Sequence, residues 1–224
     1  MSHAQKIYNT PEGMHIEELR QTCEFFVVAG SETTATLLSG VTYLLLKNQE
    51  SYRKLVDEIR QAFGSEDQIN ITNTAGLKYE SAALEEALRM FPPVAGSQCR
   101  FTPPEGHLIS GQFVPGNTIV GVNQWSANHA SSYFRDPYKF IPERWLGDPK
   151  YKDDKKEVVH PFSVGPRNCI GLNLAYAEMK VILARILWNF DIELCEESRD
   201  WMDRLKVYTL WGKEPMMVKL TPVV

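Results

Sequence analysis

Two hundred and twenty-four residues with 43% hydrophobic and 23% charged side chains fall near globular averages, which excludes a disordered chain or a low-complexity fibre. The 24 basic and 28 acidic residues leave a net charge of −4, without the basic excess of a general nucleic-acid binder. Four cysteines, Cys23, Cys99, Cys169 and Cys195, form no C-x-x-C pair, which fits individually placed thiols in a reducing compartment rather than a disulfide framework or a zinc site.

The opening residues Met1 to Asn9 are polar and lack the apolar stretch of a secretory peptide. The first helix is predicted from about Pro11–His15 to about Lys47. Its first third is amphipathic through Ile16, Leu19, Cys23 and Phe26, and the remainder is apolar nearly all round. Phe25 to Leu46 carries a single charge, Glu32, and is long enough to span a bilayer. Its Ser31, Thr33, Thr34, Thr36, Ser39 and Thr42, with Gly30 and Gly40, favour a buried central helix instead, since a mid-bilayer glutamate is expensive.

A second helix follows from Tyr52, Leu55, Val56, Ile59 and Phe63, stopped at Gly64. After a polar loop, a third covers Leu77 to Met90 and ends at Pro92-Pro93. Arg100 to Val122 reads as short strands, with Val114-Pro115-Gly116-Asn117 suited to a type II turn. Residues 123 to 160 hold few regular signals, and Tyr151 to Glu157 reads as a solvated charged run. A last helix over Leu172 to Phe190 precedes a predicted hairpin: Leu205–Trp211, a turn at Gly212–Pro215, then Met216–Leu220. Without repeats or a separating linker, the expectation is one mainly α (α+β) domain.

The sharpest chemical feature is Phe162-Ser-Val-Gly165-Pro-Arg167-Asn-Cys169-Ile-Gly171, immediately before a helix. A cysteine there meets free N–H groups and the positive end of the helix dipole, a setting that suits a metal-ligating thiolate. Flanking glycines allow a tight turn and close approach to a flat partner. A buried structural cysteine is the competing reading. Glu86 and Arg89, three apart on a helix, can pair. An exposed pair is the alternative, and Glu85 competes for Arg89. In Ala29-Gly30-Ser31-Glu32-Thr33-Thr34 a glycine notch lies beside an acid–alcohol pair able to move protons. The hydroxyls could equally bond back to helix carbonyls.

Taken together, F-x-x-G-x-R-x-C-x-G, the Ala29–Thr34 segment, Glu86-Ala-Leu-Arg89 and Phe140-Ile-Pro142-Glu143-Arg144-Trp145 resemble, in order and spacing, the haem-thiolate cytochromes P450 of eukaryotic, fungal type. The resemblance implies haem b with Cys169 as axial iron ligand, within a cofactor-binding set of Gly30, Arg100, Phe162, Arg167, Cys169 and Gly171. Arg100 and Arg167 would meet the propionates, although Arg100 could be a plain strand arginine. Glu32 and Thr33 would deliver protons during oxygen activation, and Glu86, Arg89 and Arg144 would form a structural triad. His129 reads as a satisfied structural histidine rather than a ligand. The segments around Val28–Ala29, Val94–Gln98 and Thr209–Leu210 would face a small lipophilic substrate, with an NADPH-dependent reductase on the Cys169 side.

The resemblance also implies that residues 1–224 are the C-terminal half of a family domain, so that the central helix would be bare on one side. An intracellular chain is expected, whereas complete members are anchored in the endoplasmic reticulum membrane. Truncation of a monooxygenase, plausibly from fungal secondary metabolism, is the favoured expectation. A non-catalytic remnant that binds haem or a partner is the alternative. An electron-independent isomerase or dehydratase is disfavoured by Glu32-Thr33.

Overall fold

The computed structural model describes residues 13–223. Helix α1 (Ile16–Lys47) places Glu17 and Glu18 in its first turn and Lys47 in its last, each sign matching the helix dipole. Its predicted start reaches into residues 11 and 12, which lie outside the described residues. From Thr34 onward α1 is largely buried, through Leu37, Val41, Leu44 and Leu45. Phe25, Phe26, Val27 and Val28 are 53–69% exposed, the bare side the sequence implied.

Asn48 separates α1 from α2 (Gln49–Ala62), its amide donating to the Leu44 carbonyl at 2.7 Å. α2 buries Tyr52, Leu55, Val56 and Ile59. The expected polar loop contains a 3-10 turn (Glu66–Gln68) and a short helix α3 (Ile71–Thr74) capped by Asn70, with Ile69 and Thr74 fully buried. Helix α4 (Lys78–Met90) is the centre of the molecule. Its first turn is capped from α2, where the Glu58 carboxylate accepts the N–H groups of Tyr79 (2.8 Å) and Glu80 (2.9 Å). Gly40 lets α1 approach closely, since a Cβ there would sit 2.2 Å from the buried Phe91 ring.

Strand β1 (Arg100–Phe101) is followed by the hairpin β2 (His107–Ile109) and β3 (Gln112–Val114), and β1 then pairs with β4 (Ile119–Val120). Ser110 and Gly111 join β2 to β3 with φ of 50° and 80°, the left-handed pair of a type I′ turn. The type II turn expected at Pro115-Gly116 is corrected. Gly116 is not in the left-handed region, and Asn117 takes it instead (φ 57°). Glycine is needed at 116 because a Cβ would fall 2.0 Å from the Pro104 carbonyl.

Helix α5 (Gln124–Asn128), capped by Asn123, leads into 3-10 turns over Pro142–Leu146, Pro149–Tyr151 and Lys156–Val158. The run expected to be solvated is so except at Tyr151 and Asp154, which are 5% and 9% exposed, and at Lys156, which is half-buried.

Helix α6 (Leu172–Asn189) packs Met179, Leu183, Ala184 and Leu187 inward and runs into β5 (Phe190–Leu194), followed by helix α7 (Trp201–Arg204). The C-terminal strands are β6 (Lys206–Val207), β7 (Trp211–Gly212) and β8 (Val218–Pro222). The predicted long hairpin does not form. β6 pairs only with β7, and β8 pairs antiparallel with β5, from Phe190↔Pro222 to Leu194↔Val218. Burial of Ile192 (5% exposed) selects that register, since one residue of slip would turn it outward. Among the described residues no helix is long and apolar enough to cross a membrane.

Candidate functional site

Glu86 and Arg89 share a face of α4 and are both fully buried, as is Arg144. The Glu86 carboxylate accepts five hydrogen bonds: from Arg89 Nε and Nη2 (2.9 and 2.8 Å), Arg144 Nε (3.0 Å), the Ile141 N–H (3.0 Å) and Trp145 Nε1 (2.8 Å). Arg89 spends its other donors on the carbonyls of Asn128 (2.8 Å), Pro137 (2.7 Å) and Lys139 (3.1 Å). One helix thereby holds the irregular chain of residues 128–145. Buried charges persist only when paired and hydrogen-bonded, and these are. The exposed-pair alternative is ruled out. Glu85 does not compete, because its carboxylate accepts from Tyr176 Oη at 2.7 Å, and burial raises the pKa values of both groups.

Sequence reasoning missed a fourth member. Asp154 pairs with Arg144 Nη1 and also accepts the Arg135 N–H at 2.8 Å. It lies in a run of lysines and acids, and only the surplus of guanidinium donors on Arg144 hinted that a second acid was needed.

The Cys169 segment crosses in front of α6. Its N–H donates to the Phe162 carbonyl at 2.8 Å, closing the loop at its base, where the Phe162 ring packs 5.2 Å from Tyr176. Gly165 adopts φ 76°, a conformation side chains resist, and a Cβ on Gly171 would sit 3.8 Å from Cys169 Sγ. Residues 164 to 170 are all exposed, including Val164 (60%) and Ile170 (90%), as is Leu174 (61%) at the start of α6. A free, exposed Cys169 thiol in a loop that also exposes the aliphatic Val164 and Ile170 is an unusual surface, and it excludes the buried-cysteine reading. Arg100 donates to the carbonyls of Gln98 and Cys99, and neither it nor Arg167 has a carboxylate partner among the described residues. A flat apolar group with a sulfur-seeking metal and an acidic arm matches the chemistry of Cys169 and Arg167, so this loop fits a haem.

On α1, Thr33 Oγ1 donates to the Ala29 carbonyl at 2.7 Å, the back-bonded arrangement, while a Cβ on Gly30 would meet nothing within 4 Å. Gly30 is exposed and faces open space. Glu32 points elsewhere: its carboxylate pairs with Lys213 from the C-terminal segment and is approached by Thr36 Oγ1 at 3.5 Å. Two of the three segments expected to face a substrate are adjacent, since a Cβ on Gly96 would lie 3.8 Å from the Tyr208 carbonyl. Trp211 fixes this junction by stacking on Phe91 (4.4 Å) and donating to the Pro92 carbonyl at 2.8 Å. His129 is buried, stacks on Trp125 at 4.3 Å and gives its Nδ1–H to the Trp125 carbonyl at 2.8 Å, and burial lowers its pKa. Two surface cavities, of about 530 and 640 Å³, touch the Glu86 frame, at Ile141 in one and at Glu85 and Trp145 in the other, and neither is lined by Glu32, Thr33, Arg100, Arg167 or Cys169.

Comparison with known proteins places these features in one lineage. A family model described as Cytochrome P450 matches residues 1–220. The chain is 48% identical to "Cytochrome P450 monooxygenase lcsI" of Purpureocillium lilacinum, over 100% of this chain and 43% of that protein. It is 47% identical to "Cytochrome P450 monooxygenase FUM2" of Gibberella moniliformis (96% and 46%) and 47% identical to "Trichothecene C-15 hydroxylase" of Fusarium sporotrichioides (93% and 43%). It thus spans less than half the length of each.

Proposed function

The chain belongs to the cytochrome P450 family, and from that membership we propose that it is the haem-ligating part of a haem-thiolate monooxygenase. The reaction would insert one oxygen atom of dioxygen into a small lipophilic molecule, in fungal secondary metabolism. The observation that carries this reading is the exposed Cys169 thiol in a glycine-shaped loop that also exposes Val164 and Ile170. When bound, haem b supplies the electron exchange and oxygen chemistry.

The chain's own residues supply the rest. Cys169 Sγ ligates the iron, and the Phe162 carbonyl holds the cysteine's backbone in place. Arg100 and Arg167, which have no carboxylate partner among the described residues, would pair with the propionates. Gly30 leaves room beside α1. Thr33 Oγ1, once released from the Ala29 carbonyl, would hand its hydroxyl proton to the reacting oxygen, and the Glu32 carboxyl would return a proton taken from solvent to Thr33 Oγ1. The Glu86–Arg89–Arg144 frame, extended by Asp154, has a structural role: it keeps the segment leading to the cysteine loop in register. An NADPH-dependent reductase would deliver electrons on the Cys169 side.

The test supplies haem, reductase, NADPH and ¹⁸O₂ with a panel of small lipophilic molecules. One ¹⁸O atom per product is expected, and Thr33→Ala should let electron consumption continue while product falls roughly a hundredfold, the low end of the range for losing a proton-transfer group. Products lacking ¹⁸O would contradict the monooxygenase reading. Haem binding without turnover would favour the non-catalytic alternative, for which the exposed Phe25–Val28 face of α1 is the supporting observation.

A further inference from the structure

Lys213 lies 181 residues from Glu32, yet its ammonium pairs with the Glu32 carboxylate and donates to Thr36 Oγ1 at 2.6 Å. Glu32 and Thr36 are one turn apart on α1, so the lysine spans two groups of a single helix face. Its side chain is mostly covered (18% exposed) and that of Glu32 less so (42%). The pair therefore sits at the rim of the packed interior, where an ion pair is screened but not flooded.

The backbone that carries Lys213 is pinned on both sides. Two residues before it, Trp211 is stacked on Phe91 and hydrogen-bonded to the Pro92 carbonyl. One residue after it, the Glu214 carbonyl accepts from Trp201 Nε1 at 2.7 Å, and the Glu214 carboxylate pairs with Arg204 at 3.2 Å. A lysine has a long flexible stem, but here its root is fixed, so its reach to α1 is set by the fold. Meanwhile Thr33 is satisfied by the Ala29 carbonyl. Acid and alcohol are adjacent in sequence and turned to different partners.

We propose that Lys213 is a positioning residue for Glu32: it holds the carboxylate on the side of the C-terminal segment, away from Thr33, and so ties the acid to the hairpin whose tip is Thr209–Leu210. This rests on the proton-handling role proposed for Glu32.

The test uses the full chain in two readouts. In the first, limiting acetylation is followed by mass spectrometry. Lys213 should react about threefold to fivefold faster in Glu32→Gln than in the unaltered protein, the factor a partly exposed ion pair supports, with Lys152 as an internal control that does not change. In the second, the Glu32 side-chain carboxyl ¹³C resonance, assigned by its loss in Glu32→Gln, should move in Lys213→Met and return towards its original position in Lys213→Arg. A lysine that merely packs its stem would move neither. Equal acetylation rates, or a carboxyl resonance indifferent to Lys213→Met, would overturn the proposal. If both readouts respond but Glu32→Gln leaves electron coupling to product unchanged, the positioning stands and the proton role of Glu32 fails.

Discussion

Glu86→Ala is expected to leave the chain unfolded or nearly so at 25 °C. The substitution strands two fully buried guanidinium groups and removes the acceptor for the Ile141 N–H and Trp145 Nε1. Removing one partner of a buried ion pair costs about 3–5 kcal/mol, and here one carboxylate serves two cations. A typical domain has only about 5–15 kcal/mol in total. An exposed pair at the same spacing would give up roughly 0.3 kcal/mol, so the outcomes are an order of magnitude apart. Urea unfolding followed by circular dichroism decides between them. A loss under about 1 kcal/mol would contradict the burial described for Glu86, Arg89 and Arg144. Asp154→Asn should weaken the fold by the same mechanism but less, because Arg144 keeps Glu86.

The second large effect runs in the opposite direction. Glu80 on α4 is fully buried, and neither carboxyl oxygen has a hydrogen-bond partner among the described groups. Burial pushes its pKa up to about 9, with the nearby Glu58 carboxylate adding to the rise and Lys180 opposing it. Unfolded, the same carboxyl titrates near 4.5. Between these values the folded chain keeps a proton that the unfolded chain releases, so stability falls as pH rises. The slope is roughly 1 kcal/mol or a little more per pH unit, and it levels off above about pH 9 and below about pH 4.5. Glu80→Leu, close in volume and with nothing to ionise, is expected to stabilise the protein by several kcal/mol at pH 8 and by less at pH 5.5. Unfolding curves of both proteins at the two pH values check this. Parallel losses of stability with pH would show that Glu80 is not the group responsible.

The helices and the four motifs were legible in the residues because helical period and short-range spacing are local properties. α4 and α6 begin and end within a residue of the sequence expectation, and α2 ends within two residues of the expected stop at Gly64. What could not be read was whatever depends on distant partners. β5 pairs with a strand about 28 residues further on, and nothing in Phe190–Leu194 announces that choice over a local hairpin. Asp154 sits among lysines whose composition says solvent, and burial by Arg144 overrides it. The rivalry of Glu85 and Glu86 for Arg89 was settled by Tyr176 on α6, which no spacing on α4 could reveal. Lys213 is the extreme case, a single lysine given meaning by anchors at Trp211 and Glu214. At the Cys169 loop the motif fixed the identity of the ligand candidate, while its exposure, and that of Ile170 and Val164 around it, emerged only from the fold.

The central claim is that Cys169 offers its thiolate to a haem iron, and one spectrum tests it. The chain is supplied with haem, reduced, exposed to carbon monoxide, and its Soret band is recorded. The red-shifted band of a thiolate–carbonyl complex is expected in the unaltered protein, and its disappearance in Cys169→Ala. A folded, haem-containing protein that never shows that band, or one that shows it equally in Cys169→Ala, would contradict the assignment.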